Sequence, residues 1–196
     1  MASRGPLSAL EKMAITLRER QRAFALVGGL AVTVRSEPRF TRDVDLCVVV
    51  DSDDEAEQLM FQLRGDGYSV SATVEHGDTR RLSTARLRGP DGIVCDLLLA
   101  SSGIEEEVVA RATFIDVTDG LCLPVARVEE LLALKVLSAT SLRLQDESDI
   151  RNLIAYNPTF SREDVEDDLR LIEQRGYQRG QDLSEKWRQL QRRISV

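Results

Sequence analysis

Two hydrophobic periods share this chain, and one takes over after Pro124. Leu7, Leu10, Met13, Ala14 and Leu17 fall at helical spacing, which predicts a first helix over Leu7–Arg22 opened by Pro6 or Ser8. Phe24–Val27 is a short apolar run that predicts a strand, and Leu30–Arg35 a short helix stopped before Pro38. Asp43–Val50 alternates and then turns fully apolar and Val-rich, as a strand buried on at least one face would. Asp51–Asp54 reads as the capping start of a helix to about Arg64. Strands follow over Tyr68–Val74, Leu82–Leu87 and Ile93–Leu99, with Gly89-Pro90-Asp91-Gly92 turning the last pair. A short acidic helix spans Gly103–Arg111, and a hairpin pairs Phe114–Val117 with Leu121–Leu123, Pro124 ending the sheet region. Beyond it only helical spacing remains, over Val128–Ala139, from Asp146 to about Tyr156, over Ser161–Gln174 and over Leu183–Ile194.

The chemistry concentrates in Leu26–Val50. A Gly pair, Gly28-Gly29, follows the first strand, and after thirteen further residues comes Asp43-Val44-Asp45. In a strand, residues two apart face the same side, so Asp43 and Asp45 project together. Two carboxylates at the end of a buried strand repel unless one is protonated or a cation lies between them. A pair of Mg²⁺ ions would remove the conflict and clamp a phosphoryl transfer. Gly28 and Gly29, having no Cβ, let their N–H groups approach a phosphate closely, and a helix opening there adds a favourable dipole. Arg35, Arg39 and Arg42 lie between the two motifs and have two readings: forks on nucleotide phosphates, or surface partners for the acidic run Asp51–Glu57. Asp96 interrupts the apolar strand Ile93–Leu99, a costly place for a carboxyl without a partner.

A hydrophobic residue, Gly, Gly, a gap, then Asp-hydrophobic-Asp-hydrophobic resembles the nucleotidyltransferase superfamily typified by DNA polymerase beta, here as Val27-Gly28-Gly29 and Asp43-Val44-Asp45-Leu46. Many members have Ser where Gly29 stands. The resemblance implies an α/β (α+β) nucleotidyltransferase-type mixed sheet flanked by helices, with a catalytic core over 1–124 and a C-terminal helical region over 125–196. It implies two Mg²⁺ ions on Asp43, Asp45 and Asp96, with Asp96 also taking the proton of the attacking hydroxyl, and a nucleoside triphosphate held by Gly28, Gly29 and Arg42. The alternative for Asp96 is a strand-end residue at a sheet edge.

Lys135 stands inside the apolar helix VEELLALKVLSA, in a chain of 23 Arg and three Lys. It can serve as a point charge for a triphosphate or extend to solvent. The next helix opens Asp146-Glu147-Ser148-Asp149-Ile150. An apolar helix with one Lys, then Asp-x-x-Asp-hydrophobic, is similar to the AbiEii/AbiGii toxin-type nucleotidyltransferases of bacterial toxin–antitoxin pairs. That likeness carries a catalytic role onto Lys135 and Asp149, a tRNA 3′ end as acceptor, and an antitoxin protein as partner; the alternatives are a small-molecule acceptor such as an antibiotic, a protein side chain as acceptor, or a catalytically inactive nucleotide-binding module. Gln145 departs from the basic residue that often stands there.

Charge refines this picture. The net charge is −7, yet residues 1–42 carry eight Lys/Arg against three Glu, and residues 169–196 seven against three acidic residues. The acidic middle fits a carboxylate site, and the overall sign argues against tight nonspecific nucleic-acid binding. The C-terminal basic helix reads equally as core packing, a partner-docking element or an RNA-facing surface. Cys47, Cys95 and Cys122 lie in apolar runs without ligand spacing and read as buried free thiols in a reducing compartment. His76, the single His, lies in the polar loop EHGDTRR and reads as solvated. No apolar run approaches the length of about 20 residues that spans a bilayer, and MASRGPLSALEKMA lacks a leader-like apolar core, so a cytoplasmic protein is expected.

Overall fold

A computed structural model describes residues 5–140 and 144–194, so residues 1–4 of the N-terminal stretch read for a leader lie outside it. Its elements run α1 (Pro6–Glu19), β1 (Phe24–Val27), α2 (Gly28–Arg35), β2 (Val44–Val48), α3 (Asp53–Gly65), β3 (Ser69–Glu75), β4 (Leu82–Arg88) and β5 (Val94–Leu98). There follow α4 (Glu105–Ala110), β6 (Thr113–Thr118), β7 (Leu121–Val125), α5 (Val128–Ser138), α6 (Leu144–Tyr156), α7 (Arg162–Gln174) and α8 (Leu183–Ile194). Among the described residues the seven strands form one mixed sheet in the order β3-β4-β5-β2-β1-β7-β6. The α/β fold with a helical C-terminal part is as expected.

The three central strands are the most apolar and are buried almost throughout, while β3 and β6 at the two edges are largely exposed. α1 turns Leu10, Met13, Ala14 and Leu17 of that spacing into the core, while Leu7 in its first turn stays exposed. α3 starts as its acidic run suggested: the Ser52 hydroxyl accepts the Glu55 N–H at 3.2 Å, and three acidic residues occupy the first turn. At α7 the Ser161 hydroxyl accepts the Asp164 N–H at 3.1 Å.

Register positions the site. β1 runs antiparallel to β2 with Val27 opposite Asp45, and β2 runs parallel to β5 with Asp45 opposite Asp96. One end of the sheet therefore carries the close of β1, the start of β2 and the middle of β5 side by side.

Several boundaries differ from the sequence reading. α2 begins at Gly28, two residues early, so the Gly pair is the first turn of the helix. β2 begins at Val44, which leaves Asp43 just ahead of the strand. Pro124 lies inside β7, one residue from its end, where a missing N–H removes little pairing. Cys47 and Cys95 are buried free thiols, but Cys122 is exposed, because β7 alternates and turns Leu121 and Leu123 inward.

Candidate active site

A cleft of about 860 Å³ opens at this end of the sheet. Gly28, Gly29, Arg42, Asp43, Asp45, Asp96 and Lys135 all line it. Asp149, the remaining expected residue, lies behind the wall and is fully buried.

Gly28 follows the last residue of β1, directly beside Asp45. Its φ of +62° lies in the left-handed region, and a Cβ there would sit 2.1 Å from Asp45 Oδ2. Both observations demand glycine. The Gly29 N–H, at the start of α2, donates to Asp45 Oδ2 over 3.4 Å. A Cβ on Gly29 would meet Arg39 Nη2 and Thr41 Oγ1, each at 2.8 Å. The Gly pair thus forms a close-fitting cradle bounded by one carboxylate, one guanidinium and one hydroxyl.

Asp45 and Asp96 are held differently. Burial, then the charge of Asp96, push the Asp45 carboxyl up to about 6, against the smaller opposing effects of the Gly29 N–H and the Lys135 ammonium. Asp96 is gripped by a fork from the neighbouring strand: Arg86 Nε donates to Oδ1 at 2.9 Å and Nη2 to Oδ2 at 2.6 Å. Arg86 and Asp96 are register partners on β4 and β5, so the fork spans one strand spacing.

Among the described residues, no three His, Cys, Asp or Glu side chains stand close enough together to grip a metal ion as placed. Asp43, Asp45 and Asp96, expected to converge on one cation pocket, line the same cleft but do not form a ready-made ligand set. The donor chemistry still fits a hard divalent cation. Three carboxylates line one wall, and Asp45 is the group whose ionisation added positive charge would favour.

Lys135 neither reaches free into the cleft nor extends to solvent. Its ammonium lies 2.8 Å from Asp146 Oδ1 and 2.8 Å from Asp149 Oδ2. Asp149 also accepts Arg39 Nη2 at 2.9 Å and Gln145 Nε2 at 3.0 Å, and Asp146 accepts the Ser138 hydroxyl at 3.1 Å. This buried network ties α5 and α6 to the loop between the Gly pair and Asp43. The three arginines separate by role: Arg39 joins the network, and Arg42 lines the cleft over the Phe40 ring at 5.5 Å. Arg35 is occupied away from the site by the Val125 and Ala126 carbonyls and the Thr113 hydroxyl.

No family model and no curated protein matches the chain. Solved structures do match. The lincomycin-bound lincosamide antibiotic adenylyltransferase LnuA aligns with a TM-score of 0.50 and 16% identity, over 75% of this chain and 95% of that one. The solution structure of the antibiotic-resistance factor ANT(2'')-Ia gives 0.52 and 15%, over 86% and 91%. An antigenic nucleotidyltransferase-like protein from Paracoccidioides brasiliensis gives 0.51 and 20%, over 91% and 90%.

The fold is of the nucleotidyltransferase type. In this nucleotidyltransferase fold the Gly pair, Asp45 and Asp96 occupy one end of the central strands, as their register shows. No helix among the described residues is long and apolar enough to cross a membrane.

Sequence reasoning missed two residues at the cleft. Arg86 lies in the expected strand Leu82–Leu87 but drew no reading of its own, since only the β4–β5 register pairs it with Asp96. His76 lines the cleft and is buried, contrary to the solvated reading. Its Nδ1 accepts the backbone N–H groups of Asp78 and Thr79 at 3.4 and 3.3 Å, and its ring packs against Tyr177 at 4.5 Å between centroids. Tyr177 lies about a hundred residues further along the chain, so local polarity could not reveal the contact.

Proposed function

We propose that the protein transfers a nucleotide from a nucleoside triphosphate to a hydroxyl of an acceptor, with divalent-metal assistance. The observation that carries this reading is Gly28 lying so close over Asp45 that no other residue fits, with Asp96 across from Asp45 on the next strand. A backbone cradle beside paired carboxylates suits a bound triphosphate. Gly28 and Gly29 hold its phosphates through N–H groups at the start of α2, and Arg42 adds charge from the cleft wall. Asp43, Asp45 and Asp96 would hold two Mg²⁺ ions, which supply charge neutralisation for the phosphates and the developing oxyanions. The acceptor oxygen forms a bond to the α-phosphorus while the bond to the β-phosphate oxygen breaks. Pyrophosphate leaves, and Asp96 takes the hydroxyl proton.

Lys135 and Asp149 serve as positioning residues. Asp149 is fully buried and fixes Arg39 beside Gly29, while Lys135 places its charge where Asp45 feels it. Residues 1–124 then form the catalytic core, and 125–196 the helical region that braces it.

For the acceptor we propose a tRNA 3′ end, with the enzyme acting as the toxin of a bacterial toxin–antitoxin pair in the cytoplasm. The pairing of Lys135 with Asp149 at 2.8 Å supports this reading, since these two residues carry the likeness to the toxin-type enzymes. A second reading, a small antibiotic acceptor, is favoured by the match over nearly the whole of LnuA and ANT(2'')-Ia. Incubation with each α-labelled nucleoside triphosphate, Mg²⁺ and either total tRNA or a lincosamide and aminoglycoside panel decides between them. Label on tRNA, with growth arrest on expression, supports the first; label on a small molecule supports the second. No transfer to any acceptor under any triphosphate overturns both.

A further inference from the structure

Asp96 already has a cation. Arg86 meets both of its carboxylate oxygens, at the distances of a bidentate fork, with Asp96 almost buried and Arg86 half exposed in the cleft. Among the described residues, the Arg86 guanidinium hydrogen-bonds to Asp96 alone. Its proton affinity is raised first by that hydrogen bond and further by the charges of Asp96, Asp43 and Asp45. A single guanidinium on the neighbouring strand β4 therefore supplies Asp96 with the positive charge that a divalent cation would otherwise supply. Asp45 has no comparable partner among the described residues, only the Gly29 N–H at 3.4 Å.

We infer that Arg86 is an exchangeable counter-ion: it competes with divalent metal for Asp96 and moves onto the anionic nucleotide when metal and nucleotide enter together. The inference rests on the nucleotidyl-transfer reading above and assigns a regulatory role within that site. A carboxylate with both oxygens held in a fork must loosen one contact to turn toward a cation shared with Asp45. The freed guanidinium is already in the cleft, and a phosphate is the planar-fork acceptor that replaces a carboxylate best. Metal alone must displace Arg86, whereas metal with nucleotide supplies Arg86 a new partner. Binding of the two is then mutually strengthened through this residue, since linkage requires each ligand to help the other equally.

The test counts free Mn²⁺ by its electron paramagnetic resonance signal over the full chain, for wild type, Arg86→Gln and Arg86→Lys. Each is measured without nucleotide and with non-hydrolysable triphosphate analogues. Without nucleotide, Arg86→Gln binds Mn²⁺ about tenfold tighter than wild type, within the usual range of such couplings. With nucleotide the gap closes to about twofold, because the wild-type arginine has moved. Arg86→Lys cannot form the fork and lies between the two. It also keeps a positive charge beside Asp96, so it decides the matter if Arg86→Gln does not fold by circular dichroism. Arg86→Gln or, failing that, Arg86→Lys binding Mn²⁺ no tighter than wild type overturns the inference, since Arg86 would then only orient Asp96. That failure is separable from failure of the underlying reading, in which wild type binds neither nucleotide nor Mn²⁺ and transfers no label.

Discussion

Asp45 and Asp96 face each other across adjacent parallel strands, yet only Asp96 carries a guanidinium partner. The asymmetry gives the two carboxylates different physical characters. Asp96 is compensated by Arg86. Asp45 has its carboxyl pushed up to about 6 by burial and by Asp96 itself. An ionised Asp45 therefore costs the unliganded protein stability, which is the usual position of a residue kept for its chemistry.

Asp45→Asn separates those two properties. At about pH 7.5 the amide removes a charge that burial disfavours, so the melting temperature holds or rises by a few degrees. Transfer of label falls by about a thousandfold, the scale on which loss of one preorganised electrostatic group is felt. Melting by circular dichroism together with label transfer checks both. A variant that loses activity only in step with unfolding would contradict this assignment.

Gly28→Ala combines two penalties. The left-handed φ costs an alanine about 1 kcal/mol, and the new methyl would overlap Asp45 Oδ2 at 2.1 Å. Asp45 must move, so nucleotide binding is lost along with roughly 2–3 kcal/mol of stability. Denaturant melts and nucleotide titration check this. Gly120→Ala, with a φ of +79° but nothing within 4 Å of a Cβ, serves as the matched control.

Asp149→Ala leaves Lys135 and Arg39 without their shared carboxylate in a buried setting. Removing one partner of a buried charge network costs about 3–5 kcal/mol. Unfolding in urea should show that loss. Lys135→Met with Asp149→Leu removes one charge of each sign but leaves Asp146 without its ammonium and Arg39 without Asp149, so it is expected to recover less than half of it. Neither variant is expected to transfer nucleotide, because Arg39 loses its anchor beside Gly29.

A second buried carboxyl gives a pH signature outside the cleft. Burial, then Glu130, push Asp168 up to about 6, although Arg111 donates to its Oδ1 at 2.9 Å. The folded state therefore holds this proton more tightly than the unfolded state, whose carboxyl titrates near 4. Stability from this group is fully present below about pH 4, is lost as pH rises through about 6, and changes no further above that. Relative to wild type, Asp168→Asn gains about 2 kcal/mol between pH 4 and pH 7, since each tenfold difference in proton affinity between the folded and unfolded chain is worth roughly 1.4 kcal/mol. Parallel urea melts across that range check the sign; a constant difference would contradict it.

The sequence by itself determined the strand-and-helix order, the Gly pair against the first strand and the Asp-x-Asp leading into the second. These are carried by local periodicity and by residues whose backbone demands are their own. It also pointed to Asp96, because a carboxyl in an apolar strand is conspicuous wherever that strand ends up. Tertiary structure alone decided which charges meet. Arg86 reaches Asp96 only through the β4–β5 register, Lys135 is turned from a free phosphate ligand into a partner of Asp146 and Asp149, and His76 is buried by a Tyr177 far along the chain. Charge pairing depends on distances of about 3 Å between segments remote in sequence, and no periodicity along one segment encodes them.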